Sequence, residues 1–197
     1  MNSFHPRRLW RAFIQFLRNA PFVLSCRVRH VDVRIGRNCR MTGCRVQVRK
    51  GNGRLVIGDN CVFRYCTFAY YGEGGSIVVG NSTTINARRD ARTGLYVKDG
   101  TSISIGERGL ISNSVEIATT DWHWIVNEER RILNENKDVQ IGEHVWICRR
   151  VLVGKGVSIG SDSVIGAGSI VTKSVPDSHV LIAGNPAAVK KSICNWK

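Results

Sequence analysis

Residues 139–171 read VQIGEHVWICRRVLVGKGVSIGSDSVIGAGSIV. Ile141, Ile147, Val153, Ile159, Ile165 and Val171 recur every six residues. Two positions before each anchor stands a small or β-branched residue: Val139, Val145, Val151, Val157, Ser163 and Ser169. Gly142, Gly154, Gly160 and Gly166 directly follow four of the six anchors. A helix would place apolar residues at steps of three and four. A period of six with local apolar alternation instead fits short strands, each turned by a glycine. Fixed-period self-similarity of this kind marks a β-solenoid, whose units bury their apolar faces only against their neighbours.

Outward from that stretch the repeat lengthens. IGRNCRMTGC begins at 35, IGDNCVFRYC at 57 and VGNSTTINAR at 79, each 22 residues after the last. With coils of about 18 residues, three hexapeptides each, these turns carry four-residue corner insertions: KGNG (50–53) and GEGG (72–75). In this register Cys39 stacks over Cys61 and Cys44 over Cys66, as small apolar fillers without chemistry. The next anchor, Ile105, comes 26 residues after Val79, which places a larger insertion at ARRDART (87–93). Ile105, Ile111 and Ile117 are in phase. The pattern then dissolves over residues 119–138, TTDWHWIVNEERRILNENKD. A polar excursion inside a regular solenoid is uncommon unless it is functional.

Residues 1–20 set Leu9, Trp10, Phe13, Ile14 and Leu17 at helical spacing, with Arg7, Arg8, Arg11, Gln15 and Arg18 opposite. This predicts a basic amphipathic helix, ended by Pro21. It serves either as a cap over the open end of the solenoid or, through residues 7–18, as an interfacial membrane anchor. The expected organisation is a helical cap over 1–30 and a solenoid over 31–197, including the excursion and a tail over 176–197. No run is apolar enough to span a bilayer. Phe13–Leu17 is too short for a signal-peptide core. Seven cysteines without such a signal point to reduced thiols and a cytoplasmic setting, peripheral to the inner membrane face if the helix is an anchor. No metal is expected, because the five-residue cysteine spacings suit zinc poorly.

Net charge is +14. Residues 1–98 hold 18 Lys+Arg against 4 Asp+Glu, whereas residues 99–197 hold 11 of each. All of the excess lies in the first half. That bias points to an acidic partner: a polyanionic glycan, an anionic membrane surface or nucleic acid. A solvated basic face is the plainer explanation.

The repeat and the excursion together resemble the hexapeptide-repeat acyltransferases. Within that family the chain resembles the maltose, galactoside and sialic-acid or capsule O-acetyltransferases. The resemblance rests on TTDWH, NEERR, IGEHVWI and IGAGSIVTKSVP, with AGNPA in the tail. It implies an all-β, left-handed parallel β-helix, the hand being taken from the family, since crossovers are usually right-handed. It also implies a homotrimer whose excursion reaches the coils of the next subunit, and acetyl-CoA as donor substrate. His123 matches the catalytic histidine, and an imidazole can take an alcohol's proton near neutral pH. Asn86 matches an acceptor-orienting asparagine, and Trp146 a wall of the acetyl site. The Arg149 amide would face the thioester oxyanion, although the family usually has Gly and a small residue where this chain has Cys148 and Arg149. Ala167 and Thr172 match coenzyme-A contacts, and Lys173, Lys190 and Lys191 could meet its phosphates. His144 is expected at the surface. Cys148 is read as a filler.

The implied activity is O-acetylation of a sugar hydroxyl, in an acidic polysaccharide by the charge bias, with no nucleic-acid partner. The alternatives are a small sugar or amino-sugar acceptor, or a non-enzymatic scaffold for an anionic polymer. A β-helical carbonic anhydrase would need three His ligands, and the coils hold too few histidines.

Overall fold

Each hexapeptide anchor lands in a short strand, and three strands make one coil. The computed structural model describes residues 6–197, with side chains described at 14, 15 and from 17 onward. Coil 1 holds β1 (Val31–Ile35), β2 (Arg40–Thr42) and β3 (Arg45–Val48). Coil 2 holds β4 (Gly53–Ile57), β5 (Val62–Arg64) and β6 (Cys66–Tyr71). Coil 3 holds β7 (Gly75–Val79), β8 (Thr84–Asn86) and β9 (Thr93–Lys98). Coil 4 holds β10 (Ser102–Ile105), β11 (Leu110–Ile111) and β12 (Glu116–Ala118). Coil 5 holds β13 (Val139–Ile141), β14 (Trp146–Ile147) and β15 (Leu152–Val153). Coil 6 holds β16 (Ser158–Ile159), β17 (Val164–Ile165) and β18 (Ile170–Val171).

Equivalent strands pair in parallel along three faces, giving a parallel β-helix of about six turns. The register carries the lengths read from the sequence. Val31 pairs with Gly53 and Gly53 with Gly75, steps of 22. Gln140 pairs with Ser158, a step of 18. The six anchors from Ile141 to Val171 are all buried. They form inward ladders with Ile105, Ile111 and Ile117 of coil 4, so each coil covers the apolar face of the last. Beyond coil 6, β19 (Val180–Gly184) adds in parallel to the second face, and β20 (Ala187–Ser192) folds back antiparallel on it.

Cys39 and Cys61 lie buried at adjacent positions of the ladder, and each thiol donates to a carbonyl, of Gly58 and Gly80. Burial pushes the Cys44 thiol up to about 11 and raises Cys66 well above the usual range, whereas the hydrogen bond with Cys61 lowers Cys39 to about 7. Thiols held that high stay protonated at neutral pH and are poor nucleophiles. At Cys44 and Cys66 this supports filling rather than chemistry.

One boundary differs from the sequence reading. The helix α1 runs from Pro6 to Val28 and passes through Pro21. Proline in a helix interior costs about 3 kcal/mol, because it removes one N–H and its ring crowds the preceding turn. Tertiary contacts on both sides of Pro21 outweigh that cost. Phe22 and Cys26 are buried against coil 1 and coil 2, with the Phe22 ring 5.8 Å from that of Phe68. Gln15 donates to Gly36 O (2.9 Å) and accepts from Asn38 N–H (2.6 Å). Asn19 donates to Cys39 O (3.0 Å) and accepts from Met41 N–H (3.2 Å). These two amides occupy backbone groups at the open edge of coil 1, which otherwise have no strand to pair with. The side chains of Arg7, Arg8, Leu9, Trp10, Arg11 and Phe13 lie outside the described residues.

Candidate active site

The excursion leaves the solenoid after β12 and returns at β13, so it sits on the corner between the third and first faces. Its stem is tied down. Thr119 is buried, and its hydroxyl accepts from Thr101 Oγ1 (2.6 Å). Lys137 N–H donates to Thr119 O, and Asp138 accepts from Ser102 N–H. The middle is a small hairpin in which Asn127 and Arg131 exchange hydrogen bonds. The polar reading of this stretch needs amendment. Trp124, Ile125, Val126, Ile132 and Leu133 all expose large apolar surface at the hairpin. The five Asp+Glu and three Lys+Arg of residues 119–138 mask an apolar tip in any composition count.

His123 lies at the base of this hairpin and is exposed. Its N–H donates to Asp121 O (2.8 Å), and its own carbonyl accepts from Asn134 Nδ2 (2.8 Å). Among the described residues its ring takes no hydrogen bond. The flanking tryptophans anchor the backbone on either side. Trp122 meets Tyr71 and Tyr96 edge-on at 5.0 and 5.4 Å, and Trp124 lies under the Lys98 ammonium at 4.5 Å.

A second network holds the same backbone from below. Lys155, on the corresponding corner of coil 5, reaches Asp121 Oδ2 at 2.6 Å and Asn134 O at 2.6 Å. Asn134 Nδ2 also donates to Asp121 Oδ2 (3.1 Å). Partial burial would raise the Asp121 carboxyl, but the hydrogen bonds from Lys155 and Asn134 outweigh it and hold the carboxyl below its ordinary range. Lys155 and Asn134 were not singled out from sequence, because a lysine in a GKG corner carries no signal without the excursion folded beside it.

The other expected site residues fall into separate groups. Asn86 is exposed at the end of β8, beside Arg64 in the register of the second face. Trp146 stands on the same face, on β14. Arg149 and Ala167 come together on the corner between second and third faces, where Gly168 N–H donates to Arg149 O (3.0 Å). Gly168, at φ 73°, has open space where a side chain would be. Bare backbone of this kind leaves room for a slender arm to lie against the edge. Lys190 and Lys191 lie on β20, with Lys190 Nζ beside Gly184. Thr172 and Lys173 follow β18 and share the corner of Lys155 and the excursion. The expected donor contacts thus divide between two edges of one chain, and His123 shares an edge only with Thr172 and Lys173.

Trp146 brings in residues that the sequence reading missed. The tail returns so that Trp196 stacks on His144 at 4.2 Å and 11° and approaches Trp146 at 6.0 Å. Trp196 Nε1 donates to His144 O (2.8 Å). His144 Nδ1 lies 2.9 Å from Asp162, and His179 Nε2 lies 3.8 Å from the same carboxylate. His144 points outward as expected, but Trp196 covers it and leaves its side chain only 21% exposed. Among the described residues Trp146 Nε1 is buried without a hydrogen-bond partner. Cys148, two residues on, is half-buried, and burial raises its thiol. Among the described residues no histidine contacts it.

Comparison with known proteins agrees with this architecture. Residues 138–173 match the family described as bacterial transferase hexapeptide (six repeats). A galactoside O-acetyltransferase of Lactococcus lactis subsp. lactis is 36% identical over 137 residues, covering 70% of this chain and 62% of that protein. The chain therefore spans less than two thirds of that curated relative's length. The crystal structure of the polysialic acid O-acetyltransferase OatWY is 30% identical, with a TM-score of 0.78 over 85% of this chain and 77% of that one. That of the polySia-specific acetyltransferase NeuO is 32% identical, with a TM-score of 0.62 over 85% and 84%. With the six-repeat match and two structures at 30% and 32% identity, covered over 77% and 84% of their lengths, this chain belongs to the hexapeptide-repeat transferase family.

Proposed function

We propose that this protein transfers an acetyl group from acetyl-CoA to a sugar hydroxyl of an acidic polysaccharide, with His123 as general base. The observation that carries the reading is the exposed His123, held on a loop whose backbone is fixed by Asp121, Asn134 and Lys155. A base must be both accessible and positioned, and this arrangement supplies both.

The chemistry is direct transfer. The imidazole takes the proton of the sugar hydroxyl as its oxygen forms a bond to the thioester carbonyl carbon. The carbon–sulfur bond breaks, and the proton passes from the imidazolium to the departing sulfur. The Arg149 amide is suited to the developing oxyanion, and Trp146 to walling the acetyl group. Asn86 would orient the acceptor. Ala167, Thr172, Lys173, Lys190 and Lys191 would hold the donor.

The site closes between copies of the chain in a homotrimer. His123 and the Arg149–Ala167 edge occupy different corners, and the excursion bears an uncovered apolar tip. Apolar surface on that scale marks a protein contact. A neighbour seated there would bring one copy's His123 to another's donor edge. An active monomer in light scattering would contradict this arrangement.

The acidic acceptor is supported by the charge excess of residues 1–98 and by two structural relatives named for polysialic acid. A neutral galactoside, for which the Lactococcus relative is named, is the competing acceptor. Acetyl-CoA consumption across a panel of acidic and neutral glycans separates them. Acidic polymers should be turned over fastest. Best activity on a neutral sugar would overturn the acceptor assignment, and no transfer to any glycan would overturn the activity itself. A cytoplasmic donor would place the protein on the cytoplasmic side of the membrane.

A further inference from the structure

α1 carries two faces of different fate. Asn19, Phe22 and Cys26 are buried against the coils. On the opposite side Ile14, Leu17, Leu24 and Val28 are 37%, 55%, 63% and 67% exposed. Pro21 is exposed between them. Steps of three, four, three and four keep all five in one line along the helix. Leu17, Ala20, Pro21, Val23 and Leu24 line a shallow groove with Arg27 at its side. Arg18 and Arg27 flank the stripe on its two sides, and both are exposed. A continuous apolar stripe of this length marks a surface that something covers.

The surrounding charge selects the occupant. Arg34 and Arg54 stand on the first face, Arg40 and Arg64 on the second, and Arg45 on the third; all are exposed. The basic excess therefore encircles one end of the solenoid instead of following one side. Coils stack about 4.8 Å apart. Coil 1 packs directly against α1 and coil 2 lies one such spacing further on, so both sets of arginines belong to the end that carries the stripe. A second copy docked through this end would oppose two positive rings. A planar anionic surface would neutralise one. No helix among the described residues is long and apolar enough to cross a membrane, whereas an exposed apolar stripe edged by arginines suits the plane of the headgroup boundary.

We propose that the outward face of α1 docks the protein end-on onto an anionic lipid surface, with Leu17, Pro21, Leu24 and Val28 entering the acyl boundary and the arginines of coils 1 and 2 meeting headgroups. This stands apart from the acetyl-transfer reading, since it needs neither His123 nor an acceptor.

The test is co-sedimentation of the full chain with vesicles of phosphatidylcholine alone, or with about 30 mol% phosphatidylglycerol. Partition should be at least about tenfold higher on the anionic vesicles and should fall as salt rises. The Leu17→Asp/Leu24→Asp double variant changes two exposed positions, so its far-UV spectrum should match the parent while vesicle binding drops about tenfold or more. Arg18→Gln/Arg27→Gln should weaken binding and flatten its salt dependence. The proposal is overturned by absent binding to anionic vesicles, by equal binding to neutral ones, or by unchanged binding of a folded Leu17→Asp/Leu24→Asp variant. It is equally overturned by self-association that the same variant abolishes, which would assign the stripe to a second copy of this chain.

Discussion

The Lys155 ammonium lies 2.6 Å from the Asp121 carboxylate and 2.6 Å from the Asn134 carbonyl, joining both ends of the excursion to the corner of the next coil. Asp121 is two residues from His123, and Asn134 donates to the His123 carbonyl. The position of the proposed base therefore depends on a residue 32 places later in the chain.

Lys155→Met should lower kcat about tenfold or more, because small misplacements of a catalytic group are costly. The KM for acetyl-CoA should change far less. Thermal unfolding should also change little, because the abandoned Asp121 side chain is 45% exposed and can be hydrated. Steady-state kinetics and a melting curve check this together. A large fall in melting temperature with unchanged kcat would make Lys155 a structural residue only.

The same pair fixes a pH dependence. The Asp121 carboxyl is held below its ordinary value of 3.8 by Lys155 and Asn134 against the opposing effect of burial. A depressed carboxyl contributes order above its unfolded value and loses it as pH falls through the folded one. The loop should stay ordered from neutral pH down to about 4 and loosen only below. In Lys155→Met that transition should move upward. Fluorescence of Trp122, packed on Tyr71 and Tyr96, offers a local readout.

Ile147 of β14 is fully buried, stacked between Ile111 and Ile165. Ile147→Ala should destabilise the solenoid by roughly 2–5 kcal/mol. Chemical denaturation should show the loss. Cys148→Ser, next to it but half-buried, should cost much less.

Raising salt should increase the KM of an acidic glycan more than that of acetyl-CoA. The arginines that would attract the glycan are exposed, and exposed charge attraction is screened. Equal sensitivity of the two constants would argue against a polyanionic acceptor.

The legible and illegible parts of the chain differ for a physical reason. Ile141 to Val171 report their own environment, because every sixth side chain must enter the same narrow core. The corner insertions at 50–53 and 72–75 followed from the same arithmetic. Pro21 misled, since a local rule about the missing N–H was overridden by Phe22 and Cys26 packing on the coils. The excursion read as polar because its glutamates and arginines hide Ile125, Val126, Ile132 and Leu133, whose shared exposure depends on a hairpin no period announces. Lys155, Asn134 and Trp196 carried no signal, since each acts through a partner distant in sequence. Family resemblance named His123, Trp146 and Ala167, but the geometry alone divides them among different faces and corners.

The central claim is that His123 takes the acceptor's proton and that no enzyme thiol carries the acetyl group. The most direct measurement is the kinetics of His123→Ala and Cys148→Ser with acetyl-CoA and one accepted glycan. His123→Ala should lose on the order of 10²–10⁴-fold in kcat, the usual contribution of a general base, while its affinity for acetyl-CoA stays nearly unchanged. Cys148→Ser should remain active, because burial raises that thiol and no histidine contacts it among the described residues. Retained turnover in His123→Ala together with an inactive Cys148→Ser would contradict the mechanism.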